Sequence, residues 1–338
     1  MKLFRILFAG GLTVGLCALA VVADSTAPVG TKMATAAEKF LATLPPELKK
    51  KAQYDADSEE RTNWNFVPMQ DENRKPTRGG VGVFEMNEKQ REAAMALLKA
   101  GTSDHGYAQA TTVMSLEGIL NELEKGRGNV RDPQWYFVSV FGTPGKTGSW
   151  GWRVEGHHLS INFQIKDGEV VGTTPSFFGS NPAEIKTGPN KGDRALAKVE
   201  DLAFRLIKSL DDKQKAKAHR EEHFEEVSQT PKAKVGKPEG VTFGEMTEKQ
   251  QAVLKQLMKA YTDRMPKPVG NAELARATEA GMAKIRFAYS GDGTLEKPHT
   301  YRVHGPTFVI EFLNVQKDPL GNAANHVHSV WRRLPQDF

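Results

Sequence analysis

The sequence predicts an α+β protein of two repeated halves, each a helix pair followed by an antiparallel meander of about three strands, the halves related by an approximate two-fold. Three observations carry that prediction. Phe84-Glu85-Met86-Asn87-Glu88-Lys89-Gln90 recurs as Gly244-Glu245-Met246-Thr247-Glu248-Lys249-Gln250. A second helical stretch follows each copy. Strand-like segments then follow in the same order, each with an Arg-Val-x-Gly run, Arg153–Gly156 and Arg302–Gly305.

At the start of the chain, Lys2 and Arg5 precede an apolar stretch from Ile6 to Val22, and Val21-Val22-Ala23 places small residues where a signal peptidase reads. Residues 1–23 are therefore expected to be a signal peptide that sends the protein to the periplasm or the extracellular space. A retained anchor is the rival reading, because the apolar run nears the ~18–20 residues that span a bilayer. Residues 24–80 read as an N-terminal arm with a short helix near Thr35–Leu44.

The first half, 81–192, opens on a capping box. Asn87 lies three before Gln90, so its side chain can accept the third helical N–H while Gln90 reaches back. Ala94, Leu97 and Leu98 keep helical spacing, and a second helix is expected around Ser115–Lys125. Trp135–Phe141, Arg153–Phe163 and Glu169–Thr174 alternate or carry β-branched residues and read as strands. Residues 193–240 connect the halves. Asp193–Glu226 is one long helix candidate, apolar-periodic to Leu210 and almost wholly charged after Asp211, and Gln229–Gly240 is a Lys/Pro/Gly linker. The second half, 241–338, repeats the first. Thr247 and Gln250 form the box, Asn271–Lys284 the second helix, and Ile285–Tyr289, Arg302–Phe312 and His326–Trp331 the strands.

Of 338 residues, 39% are hydrophobic and 26% charged, enough for a core and against wholesale disorder. Loss of Lys2 and Arg5 with the leader lowers the formal charge from +5 to +3. That balance, with Lys and Glu interleaved, argues against a nucleic-acid partner. Cys17 lies in the leader, so the mature chain is expected to hold no disulfide, no Cys-ligated zinc and no iron–sulfur cluster. No later segment is apolar enough to cross a bilayer. A small-molecule ligand is expected, its identity and the oligomeric state left open.

Arg131-Asp132-Pro133, Phe141-Gly142-Thr143-Pro144, Trp150-Gly151-Trp152-Arg153, Gly156-His157-His158-Leu159-Ser160 and Phe178-Gly179-Ser180-Asn181-Pro182 form a recognisable set, with His326-Val327-His328-Ser329-Val330-Trp331-Arg332 and the closing Asp337-Phe338. In these runs the chain resembles an exported bacterial family catalogued as domain of unknown function 3500, over roughly residues 35–338. The resemblance implies export and no particular activity.

Histidines gather in the strand candidates. His157, His304, His326 and His328, with His158 beside them, are the candidate metal ligands, His326 and His328 sharing one strand face. Imidazoles with a carboxylate suit a divalent transition metal such as Zn, Ni, Cu or Fe. Strand alternation sets His157 and His158 on opposite faces unless a bulge at Gly156 intervenes. Glu155 and Glu311 are the candidate catalytic bases, and Arg153 and Arg302 the groups that would orient an anionic substrate. Trp150 and Trp152, alternating with glycines, are candidate stacking surfaces.

The expected function is a His/Glu/Arg site at the junction of the halves, read as a metal-dependent hydrolase. The alternative is a non-enzymatic periplasmic module that binds a metal, an anion or a sugar. A metal-free polar site and purely structural histidines also remain open. Two motifs are set aside. His219-Arg220-Glu221-Glu222-His223 matches a zinc-peptidase pattern but sits in a charged stretch without an apolar shell. Gly145-Lys146-Thr147 lacks the glycine five residues earlier, where Val140 stands, and lies between strands.

Overall fold

A computed structural model describes residues 25–338; the expected signal peptide lies outside them. The chain begins with α1 (Ala27–Thr43), α2 (Pro46–Ala52) and the short β1 (Gln53–Tyr54). An irregular arm leads to β2 (Val81–Gly82), α3 (Glu88–Gly101) and α4 (Asp104–Glu124). β3 (Tyr136–Phe141), β4 (Ser149–Gly156), β5 (Leu159–Lys166), β6 (Glu169–Gly172) and β7 (Ser176–Ser180) follow. Then come α5 (Ala197–Ser209), α6 (Asp212–Ala218), β8 (His219–Arg220), a second irregular arm, β9 (Val241–Thr242), α7 (Glu248–Thr262) and α8 (Lys267–Glu279). The chain closes with β10 (Arg286–Ser290), β11 (His299–His304), β12 (Phe308–Gln316) and β13 (His326–Arg333).

Both capping boxes form. Asn87 Oδ1 accepts from Gln90 N at 3.0 Å and Gln90 Oε1 accepts from Asn87 N at 2.8 Å. Thr247 and Gln250 make the same exchange at 3.4 and 2.8 Å. Each glutamine is buried and has a second task. Gln90 Nε2 donates to Thr43 O at the end of α1, and Gln250 Nε2 to Ser209 O at the end of α5. One side chain thus starts one helix and satisfies an orphan carbonyl at the end of another.

The architecture is mixed α/β, with eight α-helices and one 13-stranded mixed sheet among the described residues. Strand order is β1-β3-β4-β5-β7-β13-β12-β11-β10-β8, with β2, β6 and β9 attached to β3, β5 and β10. All central pairings are antiparallel, and β7 against β13 joins the two meanders. β1 and β8 are the parallel exceptions, on β3 and β10.

Strand alternation divides the sheet into two unlike faces. Val138, Val154, Ile161, Phe178, Trp331, Ile310 and Val303 face the helices and build the main core. The other face carries buried charge, including Arg153, Glu155, Glu311, Arg302 and Arg332. The irregular arms cover this second face, where Trp64, Phe66 and Val227 pack with Phe177, Leu313 and Val330. Arginine forks and arm carbonyls satisfy one another there, so backbone that makes no ladder still finds donors. Arg153 Nη1 donates to Glu60 O and Asn63 O at 2.9 and 3.2 Å, and Arg332 to Ser228 O and Thr230 O at 2.7 and 2.5 Å.

Three local expectations change. The single helix over Asp193–Glu226 is two helices, and the chain turns extended at His219, which pairs with Tyr289. A capping box at Asp211 and Gln214 restarts the helix at Asp212. The run Arg153–Phe163 is a hairpin rather than one strand, its last pair Gly156↔Leu159, so His157 and His158 are the two turn residues. β7, unanticipated as a strand, lies at the centre of the sheet.

Candidate metal centre

The β4–β5 turn places His158 beside the start of β13. His158 takes φ 62°, a left-handed conformation that costs a residue with a Cβ. Two backbone bonds hold it: its N–H donates to Phe66 O at 2.9 Å, and its carbonyl accepts from Gly179 N at 2.7 Å. Gly179 pairs with His328 across β7 and β13, and its missing side chain leaves room for the His158 ring.

Three imidazoles converge. His158 Nε2 lies 2.8 Å from His326 Nε2 and 3.2 Å from His328 Nε2, and all three ligand atoms fall within 4.8 Å of one another. Tetrahedral bonds of about 2.0–2.1 Å put ligand nitrogens roughly 3.3 Å apart, so the spacing suits one transition-metal ion. Burial keeps His158 neutral, well below its ordinary pKa, and His157, His326 and His328 reinforce that effect. Burial, then His328 and Arg131, lowers His326 to about 3. Neutral imidazoles present the lone pairs that a metal needs.

The remaining ring nitrogens set the tautomers. His328 Nδ1 donates to Glu226 Oε2 at 2.8 Å, which leaves its Nε2 as a lone pair aimed at His158. Burial alone would raise Glu226; His328, the Val227 N–H and Gln316 together outweigh it and hold this carboxylate below its ordinary range. Asn181 Nδ2 faces His326 Nδ1 at 3.4 Å while Asn181 Oδ1 is buried without a partner. A half-turn of that amide gives Oδ1 an N–H to accept and frees His326 Nε2 as a ligand. The orphaned oxygen therefore fits a bound ion. Without one, a single hydrogen on His158 Nε2 can serve only one of its two neighbours.

His157 is placed differently. Its ring stacks on His158 with centroids 3.7 Å apart, but its Nδ1 is taken by Glu117 and, at 3.2 Å, by Arg131 Nη1. Burial raises Glu117 to about 8 against the pull of Arg131, and burial followed by Arg131 holds His157 well below its ordinary value. Glu117 therefore keeps its proton and donates a hydrogen bond to Nδ1 of a neutral imidazole rather than forming an ion pair. Arg131 is fixed by Glu124, Nε to Oε2 and Nη2 to Oε1, both at 2.9 Å. A cavity of about 310 Å³ adjoins the three histidines, lined also by Phe66, Arg131, His157 and Glu226.

The other expected site residues lie elsewhere. His304 is opposite Val309, which is opposite Arg332, two strands across and four residues along from His328, on the order of 15 Å away. Glu155 is buried and accepts from Arg78 Nη1 at 2.6 Å, Asn65 N at 2.9 Å and Ser160 Oγ at 3.0 Å. Arg153 is engaged by Glu60 and arm carbonyls. Arg302 donates to Glu311 Oε1 and Val235 O, both at 2.7 Å. These four charges brace the sheet's second face and the arms. Trp150 and Trp152 are 1% exposed and sit in the core, Trp152 stacked on Phe163, so neither forms the exposed tip expected. In the motif set aside, His223 Nδ1 bonds Ser290 Oγ at 2.7 Å and His219 pairs within the sheet.

Sequence reasoning singled out His157, His304, His326 and His328, allowed His158 beside His157 only through a bulge at Gly156, and overlooked Glu117, Asn181 and Glu226. Hairpin geometry at Gly156-His157-His158-Leu159 was the available signal for His158. Nothing local marks Glu117, Asn181 or Glu226, which lie 41, 23 and 68 residues from His158 in the chain.

The family described as "Protein of unknown function (DUF3500)" matches residues 26–338. The chain belongs to that family. Comparison with curated proteins and with solved structures returns no match. The match covers the three-histidine cluster, both irregular arms and the whole sheet. It supplies no ligand and no reaction. No helix among the described residues is long and apolar enough to cross a membrane.

Proposed function

We propose that this DUF3500 protein is exported and holds a divalent transition metal through His158, His326 and His328, using it on a small molecule in the adjoining cavity. The observation that carries the reading is the convergence of three imidazole nitrogens, from buried His158 and His328 and half-buried His326, at the wall of a 310 Å³ cavity. Three protein ligands with space beside them are the pattern of a site that keeps a coordination position for substrate or water. A bound ion would supply Lewis acidity and lower the pKa of a water, which favours hydrolysis as the reaction class. His157, its Nδ1 accepting from protonated Glu117, would present its other nitrogen to the cavity as an N–H that hydrogen-bonds the substrate, and Arg131 would orient an anionic substrate.

A non-enzymatic metal- or ligand-binding module is the second reading, and Glu226 favours it. This cavity carboxylate accepts from His328, from Gln316 at 3.0 Å and from Val227 N at 2.8 Å, so it is committed as an orienting group. We also infer that the halves arose by duplication. Supporting this, a helix and a short strand, α2–β1 and α6–β8, precede a parallel pairing to the first meander strand in both. The His ligands then come from both halves.

Elemental analysis of untagged protein tests the metal. About one equivalent of Zn, Cu, Ni or Fe is expected, lost in His158→Ala and in the His326→Ala/His328→Ala pair. A parent that neither carries nor takes up these ions overturns it. With metal retained, loss of ester or phosphoester hydrolysis in His157→Gln supports the enzyme; a metal-loaded parent inert toward such substrates supports the binder.

A further inference from the structure

Arg264, between α7 and α8, is 2% exposed, and none of its three guanidinium nitrogens has a hydrogen-bond partner. Its cation lies over Phe178 at 4.5 Å and Tyr261 at 4.7 Å, ring faces that attract charge but accept no ordinary hydrogen bond. The fold treats its other buried arginines differently. Arg78, Arg153, Arg302 and Arg332 each have a carboxylate and at least one carbonyl. An isolated buried cation is the costliest polar group a core can hold.

Arg264 lines a cavity of about 10 Å³ together with Thr102, Ile161, Thr173 and Ser176. That is the room one water-sized particle needs. Thr173 Oγ1 is a second buried group there without a partner. No aspartate or glutamate lines the space, and Thr102 Oγ1 is already committed to Leu98 O at 2.9 Å. A guanidinium and a free hydroxyl, both donors, therefore border one void too small for a carboxylate or phosphate ligand.

We propose that this cavity binds a single small anion of halide size, held by the Arg264 guanidinium and the Thr173 hydroxyl. Burial lowers the pKa of Arg264, and a neighbouring negative charge would restore it. The position gives such an ion a structural task. Ser103 donates to Arg264 O at 2.9 Å and to Asp263 O at 2.6 Å, so the α3–α4 and α7–α8 loops already touch. An anion would tie both loops to the central sheet through the side of β7 that carries Phe178. It is separate from the three-histidine centre and does not depend on the metal reading.

Bromide is the probe, because its anomalous scattering locates it. Crystals of the mature protein soaked in sodium bromide should show a bromine peak in contact with the Arg264 guanidinium. Arg264→Gln should lose that peak and keep the metal content of the parent. In solution, the parent's Tm should rise with sodium bromide or chloride above its value in sodium gluconate of equal ionic strength, and Arg264→Met should abolish the difference. Should neither variant fold, the parent soak decides alone. No peak at saturating bromide, with a Tm indifferent to the anion, overturns the site.

Discussion

A Cβ at Gly179 would stand 2.8 Å from the His158 ring on one side and 2.8 Å from Val327 O on the other. The candidate centre thus depends on one absent atom as much as on its ligands. Glu226 shows the same dependence from the outside. Its carboxylate fixes which nitrogen of His328 carries the proton, and its side chain is 43% exposed, so removing it disturbs little packing. Glu226→Ala should weaken metal binding about 10–100-fold, the cost typical of losing an orienting partner. Competition titration with a chromophoric chelator measures it, with an unchanged Tm of the metal-free protein as the control. An unaltered affinity would mean that His328 needs no orientation.

At the scale of elements, the buried glutamines of the capping boxes hold helices to one another. Gln250 Nε2 also donates to Gln214 Oε1 at 2.8 Å, so one side chain serves the N-terminus of α7, the end of α5 and the cap of α6. Gln250→Ala leaves a buried carbonyl and the helix start short of partners and should cost about 1–3 kcal/mol. The urea midpoint should fall with the slope unchanged. These boxes were legible in the sequence because capping is local: Asn87 to Gln90 and Thr247 to Gln250 span three residues. The helix expected over Asp193–Glu226 failed for a non-local reason. Its charged second part has no apolar face to bury, and β10 offers His219 a strand to pair with instead.

For the molecule as a whole, the buried ionisable groups set opposing pH limbs. His157, His158 and His326 are depressed, so the folded state keeps them neutral while the unfolded chain protonates them below about 6.5. Their contribution is present above that pH and drains away as pH falls. Glu117 acts in the other direction. It is raised to about 8 from 4.5, so the folded state binds the extra proton and stability falls as pH climbs through that interval. Glu311, raised by burial, adds to the same limb. The metal-free protein should be most stable near pH 6.5, and Glu117→Gln should flatten the loss toward pH 8. Urea midpoints from pH 5 to 9 measure both limbs. A parent curve equally steep in the variant would show that Glu117 is not the proton holder.

The sequence by itself determined the mixed α/β class, the capped helices, most of the strands and the His-x-His pair, because each is written in contacts a few residues long. Tertiary structure alone decided what those residues are for. Glu155, Arg153, Glu311 and Arg302 look catalytic in a linear reading, yet two irregular arms descend on them and turn them into braces. His158 joins the three-histidine cluster because a hairpin turn, a glycine on β7 and the first residues of β13 meet at one point. Periodicity reports which way a side chain points along its own strand. It carries no information about which distant backbone, carboxylate or ring will be there to meet it.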